Sequence, residues 1–139
     1  MPTLDSAYTI YLDCCYSSLG PLKIREVIWL PKVYIVNKGA HDHSDAERFG
    51  ELVYLSEGSI NRYSTNSMYR EFLEILCKSK PEDYILPTGL TIMSNIACAL
   101  FAVMHKRLNL LIYKASRAGG PGRYVQRSMI FNLKEKKGE

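Results

Sequence analysis

The chain has 139 residues, of which 47% are hydrophobic and 23% are charged. This length suits one domain, and the apolar fraction supplies a hydrophobic core and excludes a disordered segment. No apolar run reaches the roughly 18 residues that a membrane span needs, and no cationic stretch followed by an apolar stretch opens the chain. We therefore expect a single cytoplasmic domain over residues 1–139, with no membrane partner and with residues 134–139 as a frayed, charged tail.

The formal net charge of +4 suits an anionic partner such as a nucleotide or a nucleic acid, without requiring one. The four cysteines form no C-x-x-C pair, and none has the spacing from a histidine that a zinc site needs. We expect them to be reduced and mostly buried, as in a cytosolic protein: Cys14, Cys15, Cys77 and Cys98.

The first part of the chain is predicted to form strands. Segments rich in apolar, β-branched and aromatic residues occur at 8–14, 23–30 and 33–36. Because these segments are close in sequence, antiparallel pairing is the expected arrangement. A polar loop follows, after which Ser44 is predicted to cap a short helix over 45–49 that ends at Gly50.

From residue 51 onward, strands and helices alternate. Strands are predicted at 51–56, 83–87, 108–113 and 123–131. One amphipathic helix contains Met68 and ends near Lys80, and a second helix covers 91–106. Crossovers through these helices give parallel strands, and the last two strands form a hairpin. The predicted fold class is α/β: a single domain with a mixed sheet, an antiparallel N-terminal part and a β-α-β-α-β-β C-terminal half.

The helix predicted over 91–106 is apolar nearly all round, with Ile92, Met93, Cys98 and Phe101 on different sides. Such a helix must be covered on more than one side, by the sheet and by something else. In a domain of this size another subunit can supply the cover, so we expect a homo-oligomer.

Polar loops follow the predicted parallel strands, and in open parallel sheets ligands bind beyond the carboxyl ends of the strands. The candidate ligand-binding residues lie in two of these loops and in the helix turn after the second: Asn61, Arg62, Tyr63, Thr88, Gly89, Thr91 and Asn95. Arg62 can pair with phosphate, Tyr63 can stack on a base, and the Thr91 turn can donate backbone N–H groups. Lys114 and a glycine loop follow the third strand. We predict a site for a small phosphorylated ligand or nucleotide.

A structural interpretation of the same residues stays open, in which Gly58 and Gly89 are turn glycines and Thr91 caps the helix. The dinucleotide-binding and P-loop glycine motifs are absent, and no serine or cysteine sits in a recognisable nucleophile elbow. We therefore expect no cofactor and assign no catalytic residue.

Two further functions remain as alternatives. His41, Asp42, His43 and Asp45 form the cluster with metal-like chemistry, which would suit a metal-assisted hydrolase or nuclease, although capping roles also explain it. A basic, aromatic surface for nucleic acid is predicted from residues in and after the glycine loop: Arg117, Arg123, Tyr124, Gln126 and Arg127. His105, near a helix C-terminus, is predicted to be a cation that interacts with the helix dipole.

Three short patterns prompt a family resemblance: Glu-Gly-Ser-Ile-Asn at 57–61, the strand–turn–helix at 83–95, and Leu-Asn-Leu-Leu-Ile-Tyr at 108–113. On these patterns, residues 51–131 resemble small phage proteins that counter the Thoeris defence by sequestering cyclic ADP-ribose signals. The resemblance implies a non-enzymatic, oligomeric binder of a cyclic nucleotide. The segment 37–50 has no counterpart in that family, and no ligand residue is carried over.

Overall fold

The computed structural model describes residues 30–134, which form one five-stranded sheet with helices. The strands are β1 (Lys32–Ile35), β2 (Glu51–Tyr54), β3 (Tyr84–Leu86), β4 (Arg107–Lys114) and β5 (Arg123–Ile130). The helices are α1 (Thr65–Leu76) and α2 (Thr91–His105), and a 3-10 helix (Ser44–Phe49) connects β1 to β2.

The sheet has the order β2-β1-β3-β4-β5. β1 pairs in parallel with both β2 and β3, β3 pairs in parallel with β4, and β4 and β5 form an antiparallel hairpin. The predicted α/β class and the closing hairpin are therefore confirmed.

The antiparallel pairing expected for residues 33–36 is wrong. After β1 the chain passes through the 3-10 helix and re-enters the sheet in the same direction, so that Lys32 pairs with Glu51 in parallel register. β3 takes the other side of β1, with Val33 opposite Tyr84. The strands predicted at 8–14 and 23–30 lie outside the described residues, except for Leu30, which is not in a strand.

The strands send alternate side chains to the two faces of the sheet. On one face, Tyr34, Ile85 and Leu108 pack beneath the helices, where Phe72 of α1 and Phe101 of α2 are fully buried. On the opposite face a second cluster combines strand residues with the 3-10 helix and β5: Val33, Ile35, Leu86, Leu111, Ala46 and Tyr124. Both faces of the central strands therefore contribute to the core.

α1 is amphipathic, as predicted, and it buries Met68, Phe72 and Leu76. It ends before the predicted limit near Lys80, because the chain tightens after Leu76. The Ser79 N–H and hydroxyl both donate to the Leu76 carbonyl, at 2.9 and 2.5 Å. Such three-residue-spaced bonds satisfy the last carbonyls of a helix.

α2 is covered on one side by the sheet and on another by α1 of the same chain. The second layer that its apolar sequence requires is thus supplied in large part within the chain, although Val103 remains 80% exposed. None of the helices in residues 30–134 is long and apolar enough to cross a membrane.

Candidate functional site

Asn37 follows β1 and joins the loops that follow the two neighbouring strands. Its backbone N–H donates to the Thr88 hydroxyl, and this hydroxyl donates to the Asn37 carbonyl, both at 2.9 Å. The Asn37 side-chain amide donates to the Gly58 carbonyl at 3.1 Å. The loops after β2 and β3 therefore lie at one common edge, which we call the carboxyl edge because the parallel strands end there.

Ser56 extends this junction past the end of the strands. Its hydroxyl lies 2.6 Å from the Val36 carbonyl and 3.1 Å from the Asn37 amide oxygen. The backbones continue in parallel register, with Lys38 N–H donating to the Ser56 carbonyl and Gly58 N–H donating to the Lys38 carbonyl. The start of the loop after β2 is therefore held firmly against β1.

The two candidate residues after β3 take part in this junction. The Thr88 hydroxyl is already engaged by Asn37, and Gly89 adopts a left-handed φ of +76°. A Cβ atom added at Gly89 would lie 2.9 Å from Asn37 Cβ, so glycine is required for the close approach. Thr88 and Gly89 position the loop, in agreement with the interpretation of Gly89 as a turn glycine.

The remaining candidates lie in the segments after Gly58 and Gly89, and their side chains are exposed. Asn61 also forms a local turn. Its amide oxygen accepts the Tyr63 N–H at 3.0 Å, while the Tyr63 side chain is 84% exposed. Arg62, Thr91 and Asn95 are also exposed.

Both helices begin after loops at the carboxyl edge, and neither receives a side-chain cap hydrogen bond. The capping position of α2 is Leu90, so Thr91 is its first helical residue rather than its cap. First-turn N–H groups and the positive dipole end favour anions at this edge.

β4 ends and β5 begins at the same edge, where their connecting loop forms an open cavity of about 620 Å³. Among the described residues, its lining contains three cationic side chains and no acidic one: Lys114, Ala115, Ser116, Arg117, Pro121 and Arg123. Lys114 and Arg123 are direct cross-strand partners. The ion pairs found within residues 30–134 are Lys38–Glu57 and Arg48–Asp45, so none of the three cavity cations has a carboxylate within 4.0 Å there.

The surface predicted for nucleic acid is divided by the alternation of β5. Arg123 and Arg127 point to one face of the sheet, whereas Tyr124 and Gln126 point to the other. Tyr124 is buried and its hydroxyl contacts His43, so its ring offers no stacking surface. Arg117 and Arg123 come together in the hairpin cavity instead.

The histidine-containing loop secures the start of β5. His43 Nδ1 lies 2.9 Å from the Tyr124 hydroxyl, and Asp45 accepts the Tyr124 N–H at 2.8 Å. The Arg48 guanidinium donates to the Tyr124 carbonyl. Burial lowers the pKa of His43, which keeps its ring neutral at neutral pH. The residue types that suggested a metal therefore hold an edge strand in place.

The prediction that Ser44 caps the 3-10 helix is wrong, because Ser44 is its first residue and the capping position is His43. The Asp42 carboxylate accepts the Ser44 N–H and the Ser44 hydroxyl, both at 2.9 Å, and these bonds lower the pKa of Asp42. Over residues 30–134, no group of three or more His, Cys, Asp or Glu side chains is arranged to hold a metal ion. The metal-centre alternative has no geometric support there.

His105 differs from the predicted helix-end cation. Its Nε2 lies 2.7 Å from the Ser79 hydroxyl, which already donates its proton to Leu76, so Nε2 is the donor. Its Nδ1 is buried and has no partner in the described part of the chain. Burial lowers the pKa of His105, against the opposing effect of Asp83 and Glu82, and a neutral ring results.

The opposite end of the sheet, the amino edge, contains two buried polar residues that sequence reasoning missed. The Asp83 carboxylate accepts the backbone N–H groups of Lys32 and Lys80, at 2.9 and 2.8 Å. The Asn109 amide donates to the Pro81 and Asp83 carbonyls, at 2.7 and 2.8 Å. A polar residue within an apolar strand pattern was the available signal for Asn109. The side chains of both residues hydrogen-bond to the backbone of neighbouring segments and therefore have a structural role.

The two described cysteines, Cys77 and Cys98, are half-buried, and burial raises the pKa of Cys98. Cys14 and Cys15 lie outside the described residues.

Comparison with known proteins gives one family. The family model described as Phage Pam3 gp32-like protein matches residues 31–126, which run from the residue before β1 into β5 and include the whole carboxyl edge. No curated protein and no solved structure matches. The family model covers well over half of the chain, and the chain therefore belongs to the Phage Pam3 gp32-like protein family.

Proposed function

We propose that this phage protein binds a small phosphorylated ligand of the nucleotide class at the carboxyl edge, without catalysing a reaction. The observation that carries the proposal is the junction at Asn37, whose hydrogen bonds join the Gly58 and Thr88 segments. This junction brings to one edge the loop that carries Arg62 and Tyr63 and the turn that begins α2.

The exposed groups at this edge suit a nucleotide. Arg62 offers a permanent positive charge with planar donors, which matches the geometry of a phosphate. Tyr63 leaves 84% of its surface exposed, so its ring stabilises little within the fold and is available to stack on a base. The uncapped first turn of α2 adds N–H donors for a second phosphate oxygen.

We propose no catalysis because the reactive side chains are engaged in hydrogen bonds within the fold. His43 and Asp45, the best candidates for acid–base or metal chemistry, are held by hydrogen bonds to Tyr124. The resemblance of residues 51–131 to proteins that sequester cyclic ADP-ribose signals makes a cyclic nucleotide the first ligand to test. We propose that the protein acts in this way in the cytoplasm, as a sponge in phage anti-defence.

A homo-oligomer is part of the same proposal. Val103 of α2 is 80% exposed, and we propose that this apolar side chain lies in a contact between copies. Sedimentation equilibrium of the wild-type chain and of Val103→Ser tests it. A monomeric wild-type protein at all concentrations contradicts the oligomer without affecting the ligand site.

Isothermal titration against cyclic ADP-ribose, other cyclic nucleotides and linear nucleotides tests the ligand site. We expect Arg62→Ala to weaken binding by roughly tenfold or more, because a charge-assisted phosphate contact is lost. Tyr63→Ala should weaken it by a similar factor, since one base–aromatic stack contributes on the order of 1–3 kcal/mol.

Matched controls lie one turn into α1. Arg70→Ala and Tyr69→Ala remove the same exposed residue types from a position away from the loop, and we expect both to retain wild-type affinity. No heat from any nucleotide, or equal losses in the Arg62 and Arg70 variants, would contradict the proposed site.

A further inference from the structure

We infer that the cavity of the β4–β5 hairpin is a separate site for a phosphate chain, meaning two or more linked phosphates. The inference does not rest on the nucleotide site proposed above, because Lys114, Arg117 and Arg123 are distinct from the residues of that site. Within residues 30–134, the mutual repulsion of these three cations is not offset by any ion pair with a carboxylate.

Lys114 and Arg123 stand directly opposite each other in the antiparallel pair β4–β5. Like charges at directly opposite positions destabilise a sheet. Arg117 adds a third cation to the same wall, and no acidic residue of the described part of the chain lines the cavity. Within residues 30–134 no carboxylate pairs with any of the three, so a bound anion is what would relieve their repulsion.

The size of the cavity indicates a chain of phosphates rather than a single one. Its volume of about 620 Å³ lies within the range of roughly 300–1,000 Å³ typical of small-molecule sites. A single phosphate carries at most two charges near neutral pH and would leave part of the three-cation wall uncompensated. A diphosphate or longer chain matches both the charge and the space.

The hairpin loop is shaped to keep the cations around this space. The Ser116 hydroxyl accepts the Ala118 N–H at 3.3 Å, which closes a small turn beside Arg117. Gly122 allows the loop to lie against Tyr113, because a Cβ there would lie 2.3 Å from the tyrosine ring and hydroxyl. The backbone on both sides of the loop is therefore held in place, and the charged side chains extend from it.

A second open cavity, at the amino edge, is not suited to bind an anion. Its lining includes Glu47, Glu51 and Arg48, and this arginine is already bound to Asp45 and to the Tyr124 carbonyl. Its charges are mixed and its one lining cation, Arg48, is already paired with Asp45, so an anion finds no uncompensated cation among these residues. The hairpin cavity differs in both respects.

The test uses tripolyphosphate as the probe, in isothermal titration and thermal unfolding at low ionic strength. We expect saturable binding to the wild-type chain, with affinity falling steeply as salt is added. Lys114→Gln should weaken binding about tenfold or more and, without ligand, should raise the melting temperature, because it removes the like-charge pair. Weaker tripolyphosphate binding together with a higher melting temperature distinguishes a binding role of Lys114 from a structural one.

Arg117→Gln is the second site variant, since it lies in the loop and leaves the strand pairing intact, and Arg70→Gln on α1 is the matched control. Loss of tripolyphosphate binding in Arg117→Gln, with wild-type binding in Arg70→Gln, supports the site. No tripolyphosphate binding, or equal affinity in all variants, overturns it. Retained tripolyphosphate binding in Arg62→Ala shows that the two sites are independent, and its loss in that variant overturns a separate hairpin site.

Two further arms identify the source of the phosphates. Competition of tripolyphosphate by ATP but not by a short oligothymidylate indicates a free nucleotide. Competition by the oligothymidylate, with a steep salt dependence, indicates a nucleic-acid backbone, whose phosphates are separated by sugars, and overturns the assignment to linked phosphates. The first result supports the phosphate-chain site and assigns its ligand class.

Discussion

The two ends of the sheet use their polar residues in opposite ways. At the amino edge, Asp83 and Asn109 are buried and their side chains are hydrogen-bonded within the protein. At the carboxyl edge, Asn37 closes the centre, while Arg62 and the hairpin cations remain exposed around it. Polarity alone therefore does not mark a site. What marks it is whether the polar groups already have partners.

The strongest way to break the amino edge is Asp83→Ala. The substitution leaves the partly buried N–H groups of Lys32 and Lys80 without this acceptor, and a buried unsatisfied group costs about 1–3 kcal/mol. We expect the free energy of unfolding to fall by about 3 kcal/mol in urea titrations. The neighbouring exposed Glu82→Ala is the control, and a comparable loss in both variants would show that Asp83 has no special role.

At the carboxyl edge, Gly89→Ala tests whether the junction at Asn37 needs the close approach of the two loops. The new Cβ meets Asn37 at 2.9 Å, and alanine is strained at a φ of +76°. We expect a loss of roughly 1–2 kcal/mol in the free energy of unfolding. Gly39→Ala serves as the control, because a Cβ there has no atom within 4 Å. Wild-type stability in Gly89→Ala would mean that the junction at Asn37 does not need the close approach.

The smallest effect concerns pH. The pKa of buried His105 is lowered from its ordinary value of 6.5, so below about pH 6.5 the unfolded chain takes up a proton that the folded chain resists. The contribution of His105 to stability is therefore complete above pH 6.5 and is lost as pH falls toward the lowered pKa.

Unfolding measured between pH 7.5 and 5.5 should show a shallower loss in His105→Gln than in the wild type, by at most about 1.4 kcal/mol per pH unit. His43, whose pKa burial also lowers, contributes in the same direction, so some slope should remain. An unchanged slope in His105→Gln would show that the folded chain protonates His105 freely.

Much of the fold follows from local patterns. The spacing of Met68, Phe72 and Leu76 predicts α1, and the alternation of residues 123–131 predicts β5, because side-chain periodicity depends on the geometry of one element. The strand–helix alternation also placed the loops after β2 and β3 at one edge, since strands joined through helices run in parallel.

What the amino-acid sequence determined by itself was therefore the type and order of the elements, and the end of the sheet at which polar loops meet. Only the tertiary structure decided that β1 lies between β2 and β3, that Asn37 joins their loops, that His43 and Asp45 hold Tyr124, and that Lys114 faces Arg123. The physical reason is that periodicity reports on neighbours along the chain. Strand order and hydrogen-bond partners depend on contacts between residues far apart in sequence, and no local pattern encodes them.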